Sequence, residues 1–147
     1  MKGKYIDKKR PFDWQLKHTL FLDGNKTKFS WIIQTDGQVK KEFREHPPAY
    51  YSGYKLDVKN DEQSKFIALH VGLYWGIGVF VIQDGDTIDV MCDSKKMYDI
   101  MNSNKETSDQ IISDKIHFTN LFIEQRNLIV NYHLIKNDEN LASELIR

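Results

Sequence analysis

The spacing of apolar residues shifts after the first third of this chain, from strand-like runs alone to helical three-to-four spacing interleaved with further strands. That change limits the folds available to it. Thr19 to Leu22 (TLFL) reads as a strand that stops at the polar Asp23-Gly24-Asn25. Phe29 to Thr35 (FSWIIQT) is a second strand, and Asp36-Gly37 after it is a strong two-residue hairpin signal. Val39 to Phe43 is the returning strand. The first third is therefore expected to be an antiparallel meander of three strands.

Helical spacing then takes over. Asn60 or Asp61 can cap a helix, with Glu62 in its first turn, where a negative charge suits the helix dipole. Phe66, Leu69, Leu73 and Ile77 recur on one helical face, and Gly76 and Gly78 loosen its end. Gln83 to Asp86 is a turn and Thr87 to Cys92 a strand, followed by a helix through Met97, Ile100 and Met101. A further helix runs from about Asp109 to Arg126, with Ile112, Ile116, Leu121 and Ile123 among its apolar positions. Leu128 to Ile135 is a last strand, and a terminal helix from Asp138 or Asn140 runs to Arg147. Strands joined through helices favour parallel pairing with right-handed crossovers. The expected fold is α/β, a mixed five-stranded sheet flanked by helices.

Composition narrows the function. With 147 residues the chain makes one domain able to bury a sizeable core. Lys+Arg and Asp+Glu both number 21, which excludes a strongly basic coat protein and a polyacidic chain but not a local nucleic-acid site. The lone Cys92 can form neither an internal disulfide nor a multi-cysteine zinc site, and a reducing, cytoplasmic setting is the expectation. Lys2, Lys4, Lys8, Lys9 and Arg10 lie in a basic extension (residues 1–17) without the apolar run of a signal peptide; the domain proper is placed at residues 18–147. Phe66 to Ile82 has no formal charge but is only 17 residues long, with a histidine and three glycines inside it, so no membrane span is expected.

Four motifs, in order, resemble the ribonuclease H family, specifically the type 1 and reverse-transcriptase-associated domains. Phe21-Leu22-Asp23-Gly24-Asn25 is similar to the family's first strand with its catalytic Asp. Gln63-Ser64-Lys65-Phe66-Ile67-Ala68-Leu69 with Gly72-Leu73 is similar to its first helix, and Val90-Met91-Cys92-Asp93-Ser94-Lys95 to its strand-end Asp-Ser motif. Tyr132-His133 and Asn140-Leu141-Ala142-Ser143-Glu144-Leu145 resemble its last strand and last helix. The resemblance covers about residues 18 to 147.

It implies Mg²⁺-dependent (or Mn²⁺-dependent) hydrolysis of the RNA strand of an RNA/DNA hybrid. Two metal ions about 4 Å apart activate water and stabilise the leaving oxygen. Asp23 and Asp93 fall on the family's catalytic, metal-binding positions. The remaining two carboxylates are replaced: the helix Glu falls on Lys65 and the last Asp on Ser143. An ammonium repels Mg²⁺ where a carboxylate would hold it. Glu144, next to Ser143, and Glu62, one turn before Lys65, are the candidate substitute ligands; Glu139 and Asp89 are weaker ones. Lys65, Ser94, Lys95 and Asn25 are the candidate nucleic-acid contacts. Two readings follow: a hybrid nuclease with activity weakened or lost, or a catalytically dead module that binds nucleic acid or a protein.

Plainer roles stand beside these. Asp23-Gly24 can be a turn and Asp93 a helix cap; Lys65, Lys95 and Lys96 can be solvated; His133 can be a structural histidine. Trp14, Trp31 and Trp75 read as core or sheet-face residues, whereas Tyr50, Tyr51 and Tyr54 after Pro47-Pro48 suit base stacking or a protein partner. His18, His46, His70 and His117 show no zinc spacing.

Overall fold

The computed structural model describes residues 15–46 and 57–147. The basic residues from Lys2 to Arg10, Trp14, Pro47-Pro48 and the tyrosines Tyr50, Tyr51 and Tyr54 lie outside the described residues. Strands β1 (Lys17–Gly24), β2 (Lys28–Thr35) and β3 (Gln38–Glu45) form the antiparallel meander. Asp36 and Gly37 have φ of 44° and 80°, the double left-handed geometry of the turn that matches strand twist. Helix α1 (Asp61–Gly78), β4 (Thr87–Cys92), α2 (Lys95–Ser103), α3 (Gln110–Gln125) and β5 (Ile129–Leu134) follow. The sheet order is β3-β2-β1-β4-β5, with β4 parallel to both β1 and β5.

β1 is central and covered on both faces, which explains its unbroken apolar run. On one face Leu20, Leu22, Trp31, Ile33, Ile88 and Val90 pack with Phe66, Leu69 and Leu73 of α1. On the other, Phe21 and Ile32 pack against Ala142 near the chain end, with Met91, Ile135 and Leu145 at the margin. α1 starts where Asn60 accepts the Gln63 amide, and α3 where Asp109 accepts that of Ile112. Its Asp109 carboxylate also accepts from Gln63 (2.8 Å), which ties the two helix starts together. Among the described residues no helix is long and apolar enough to cross a membrane.

Three local expectations are corrected. The terminal segment is not an α-helix but two 3-10 stretches, Asn137–Glu139 and Leu141–Ile146. Its carbonyls are engaged elsewhere: Ser30 Oγ donates to the Ala142 carbonyl at 2.7 Å, taking the acceptor that an α-turn to Ile146 requires. Asp23-Gly24 is the end of β1 rather than a turn; the turn is built on Asn25, whose side-chain oxygen accepts from Thr27 and Lys28. Ser94, not Asp93, caps α2, accepting the Met97 amide at 3.1 Å.

Candidate functional site

Register brings the two acids together. Phe21 pairs with Met91 across the parallel β1–β4 ladder, and two residues further on each strand lead to Asp23 and Asp93 at the same sheet end. α1 reaches them because Gly24 has no side chain: a Cβ there would stand 2.2 Å from Ser64 Oγ and 2.7 Å from the Ser64 backbone. The helix start therefore lies directly against the end of β1, and the next residue, Lys65, is delivered between the acids.

Lys65 Nζ lies 2.6 Å from Asp93 Oδ1 and 3.4 Å from Asp23 Oδ1. All three side chains are largely buried, that of Asp93 to within 1% of full burial. The remaining oxygens also have protein donors. Ser143 Oγ donates to Asp23 Oδ2 at 2.6 Å, and the Gly24 amide donates to Asp23 Oδ1 at 2.8 Å. Asp93 Oδ2 accepts from Asn137 at 2.8 Å and from Asn140 at 3.1 Å. Burial alone would push the Asp93 carboxyl up, but the Lys65 hydrogen bond and charge, with the two asparagine amides, hold it below the ordinary carboxylate value. Burial works against the Lys65 ammonium too, yet the hydrogen bond to Asp93 and the charges of both acids raise its pKa above that of ordinary lysine.

The other sequence candidates separate from this centre. Glu144 is 72% exposed and pairs with Arg147 at 3.0 Å; its neighbour Ser143 is the one that faces Asp23. Glu139 accepts the Lys136 amide. Glu62 accepts from Ser94 Oγ at 2.5 Å, joining the starts of α1 and α2. Asp89 lies back along β4 with Lys17 at 3.2 Å and His133 at 3.1 Å, and His133 is half exposed rather than packed inside. Asn25 holds its own turn, and Lys95 is exposed beside Asp99 at 2.8 Å. Lys65 is not a solvated lysine but the middle of a buried ion triplet.

Sequence reasoning missed the two asparagines. Asn140 was legible as a cap, and does accept the Ala142 amide, but its Nδ2 also spans from the Leu22 carbonyl (2.8 Å) to Asp93. Asn137 carried no spacing signal. A second polar group was also missed: His18, Thr35 and Asp86, all buried, with His18 Nδ1 2.6 Å from Thr35 Oγ1 and Nε2 2.7 Å from Asp86 Oδ2.

The strand order, with its first three strands antiparallel, its parallel β1–β4–β5 half and two acids at the shared strand end, decides the architecture. The chain has the ribonuclease H fold. Its structure is similar to the N-terminal RNase H domain of rv2228c from Mycobacterium tuberculosis (TM-score 0.69, 14% identity, 88% of this chain and 95% of that one). RNase H1 from the halophilic archaeon Halobacterium salinarum is comparable (TM-score 0.66, 12% identity, 90% and 94%). So is LC11-RNase H1 in complex with an RNA/DNA hybrid (TM-score 0.63, 11% identity, 89% and 93%). No family model and no curated protein sequence matches the chain.

The residues present do not fit a pair of divalent ions. Mg²⁺ binds oxygen at about 2.1 Å and needs free carboxylate lone pairs. Here an ammonium stands between the acids, every oxygen of Asp23 and Asp93 already accepts from the protein, and both sequence-chosen substitutes are engaged elsewhere. Among the described residues no group of three or more His, Cys, Asp or Glu side chains gathers to hold a metal.

Proposed function

We propose that this chain is a nucleic-acid-binding domain of the ribonuclease H type in which hydrolysis has been lost. One observation carries the loss: Lys65 Nζ, 2.6 Å from Asp93, stands where the resemblance puts an acidic metal ligand. Support for nucleic acid comes from the fold, since LC11-RNase H1, which shares it, was solved with an RNA/DNA hybrid. The same geometry argues that Lys65 is not the phosphate contact, because its charge is spent on two carboxylates. Lys95 and Lys96 are exposed at the adjacent start of α2, and an exposed pair such as Lys95–Asp99 exchanges readily for a phosphate oxygen.

The test is titration of labelled RNA/DNA hybrid, double-stranded RNA and double-stranded DNA at several salt concentrations, with cleavage followed in Mg²⁺ and in Mn²⁺. The expected result is duplex binding that weakens steeply with salt, and no cleavage above that of Asp93→Asn. Cleavage by the wild type that Asp93→Asn abolishes would overturn the loss of hydrolysis. Absence of salt-sensitive binding would overturn the nucleic-acid reading and leave the alternative, a protein-interaction module. That alternative has its own observation: Tyr74, 64% exposed, and Phe118, 46% exposed, cluster with His70 and Phe122 on the outer side of α1 and α3.

A further inference from the structure

We infer that the Lys65 ammonium is the resident cation of the Asp23–Asp93 pair, and that removing it opens a latent divalent-cation site at the end of β1 and β4. Two carboxylates fixed side by side need a positive charge between them or a proton on one. The backbone fixes them: Asp23, the penultimate residue of β1, and Asp93, just beyond β4, lie at the same end of two paired strands, and Gly24 lets α1 close onto the end of β1. Lys65 contacts one oxygen of each acid, Asp93 Oδ1 and Asp23 Oδ1. The opposite oxygens are held by Ser143, Asn137 and Asn140, side chains that orient the carboxylates without neutralising them. Removing only the ammonium leaves two positioned carboxylate oxygens, Asp93 Oδ1 and Asp23 Oδ1, without their shared cation, a charge that one divalent ion can supply. An ion with one or two carboxylates and several retained waters is the usual arrangement for Mg²⁺ and Mn²⁺.

This concerns the cation alone and is independent of nucleic-acid binding. The experiment is Mn²⁺ titration of the full chain, read by water-proton relaxation and by thermal shift. Wild type, Asp93→Asn, Lys65→Ala, Lys65→Gln and the double variant Lys65→Ala with Asp93→Asn are compared. Wild type is expected to show no saturable Mn²⁺ binding. Lys65→Ala is expected to bind one Mn²⁺ per chain at least tenfold more tightly than wild type and to gain several degrees of melting temperature from it, whereas the double variant loses both effects. Lys65→Gln, which keeps a hydrogen-bonding stem, carries the test if the alanine variant does not fold without metal. Saturable binding by wild type that Asp93→Asn removes would overturn the inference. So would folded Lys65→Ala and Lys65→Gln proteins that both fail to bind.

Discussion

Lys65 and Asp93 lie 28 positions apart in the chain and 2.6 Å apart in space, a buried ion pair to which Asp23 adds a second carboxylate 3.4 Å from the ammonium. Removing one partner of such a pair is costly because the other stays buried and charged. Lys65→Met is expected to lower unfolding free energy by about 3–5 kcal/mol, measured by urea titration. Lys65→Met combined with Asp93→Leu should cost clearly less than the sum of the two single changes, because the contact they share is then counted once. Additive costs would show that the ion pair contributes nothing.

The same pair sets a pH profile. The folded Asp93 pKa is lowered, so its contribution is present above the ordinary carboxylate value and is lost as pH falls through the lower folded value. The folded Lys65 pKa is raised, so its contribution is complete below the ordinary lysine value and disappears as pH rises through the higher folded value. Stability from this centre should therefore be flat through neutral pH and fall on both the acid and the strongly alkaline side. In Asp93→Asn the acid fall should shrink, as read from melting temperature against pH.

His70 acts in a different window. Burial, with the Lys115 charge nearby, lowers its pKa to about 4, and its ring stacks on Phe122 at 5.5 Å. Between that value and the ordinary 6.5 the unfolded chain takes up a proton that the folded chain refuses, so stability rises with pH across this range and is complete above it. The effect is on the order of 1–3 kcal/mol after solvent screening at its partly exposed edge. His70→Phe should reduce the rise of melting temperature between pH 4 and 6.5, leaving the smaller part due to His46, whose pKa burial also lowers, while preserving the aromatic contact with Phe118 and Phe122.

The strands and helices before the terminal segment were readable because each is an apolar run bounded by turn residues or a capped helical stripe: Asp36-Gly37, Asn60 and Asp109 each do locally what their residue types permit. The proximity of Asp23 and Asp93 was readable as well, through motif order and strand pairing. The behaviour of Lys65 was not, because whether a lysine is solvated, meets phosphate or fills an ion triplet depends on how closely a helix can approach a strand end. That approach is decided by Gly24, not by Lys65. The choice of Glu144 failed for a related reason. It assumed a regular terminal α-helix able to rotate, whereas Ser30, Asp23 and Leu22 pin the segment through Ala142, Ser143 and Asn140 in a 3-10 winding that turns Glu144 outward.

Gly24→Ala tests that approach directly. Its new methyl would meet backbone as well as the Ser64 hydroxyl, and backbone cannot rotate aside. The helix start must move, at a cost of about 1–3 kcal/mol for overpacking. The movement should also loosen Lys65 from Asp93. A Lys65 side-chain amine signal that exchanges faster with water in the variant, by NMR, is the expected companion of the stability loss. Unchanged exchange with lost stability would separate the glycine from the ion triplet.

At the other end of β1, about 17 Å from Asp23 at the rise of a strand, the His18–Asp86–Thr35 group predicts a purely structural phenotype. Asp86 accepts the amides of Leu16 (3.0 Å) and Gln83 (2.9 Å) as well as contacting His18, so one carboxylate fastens the entry to β1 and the turn before β4. Asp86→Ala leaves these buried groups without that acceptor and is expected to cost about 3–5 kcal/mol. Thr35→Val removes a single hydroxyl from His18 at near-constant shape and should cost about 1–2 kcal/mol. Both are read by urea unfolding. At temperatures where each variant is folded, duplex affinity should equal that of wild type within twofold, because neither change reaches the start of α2, where Lys95 and Lys96 are exposed. A variant that is fully folded yet binds duplex tenfold more weakly would place part of the binding surface at this end of the sheet.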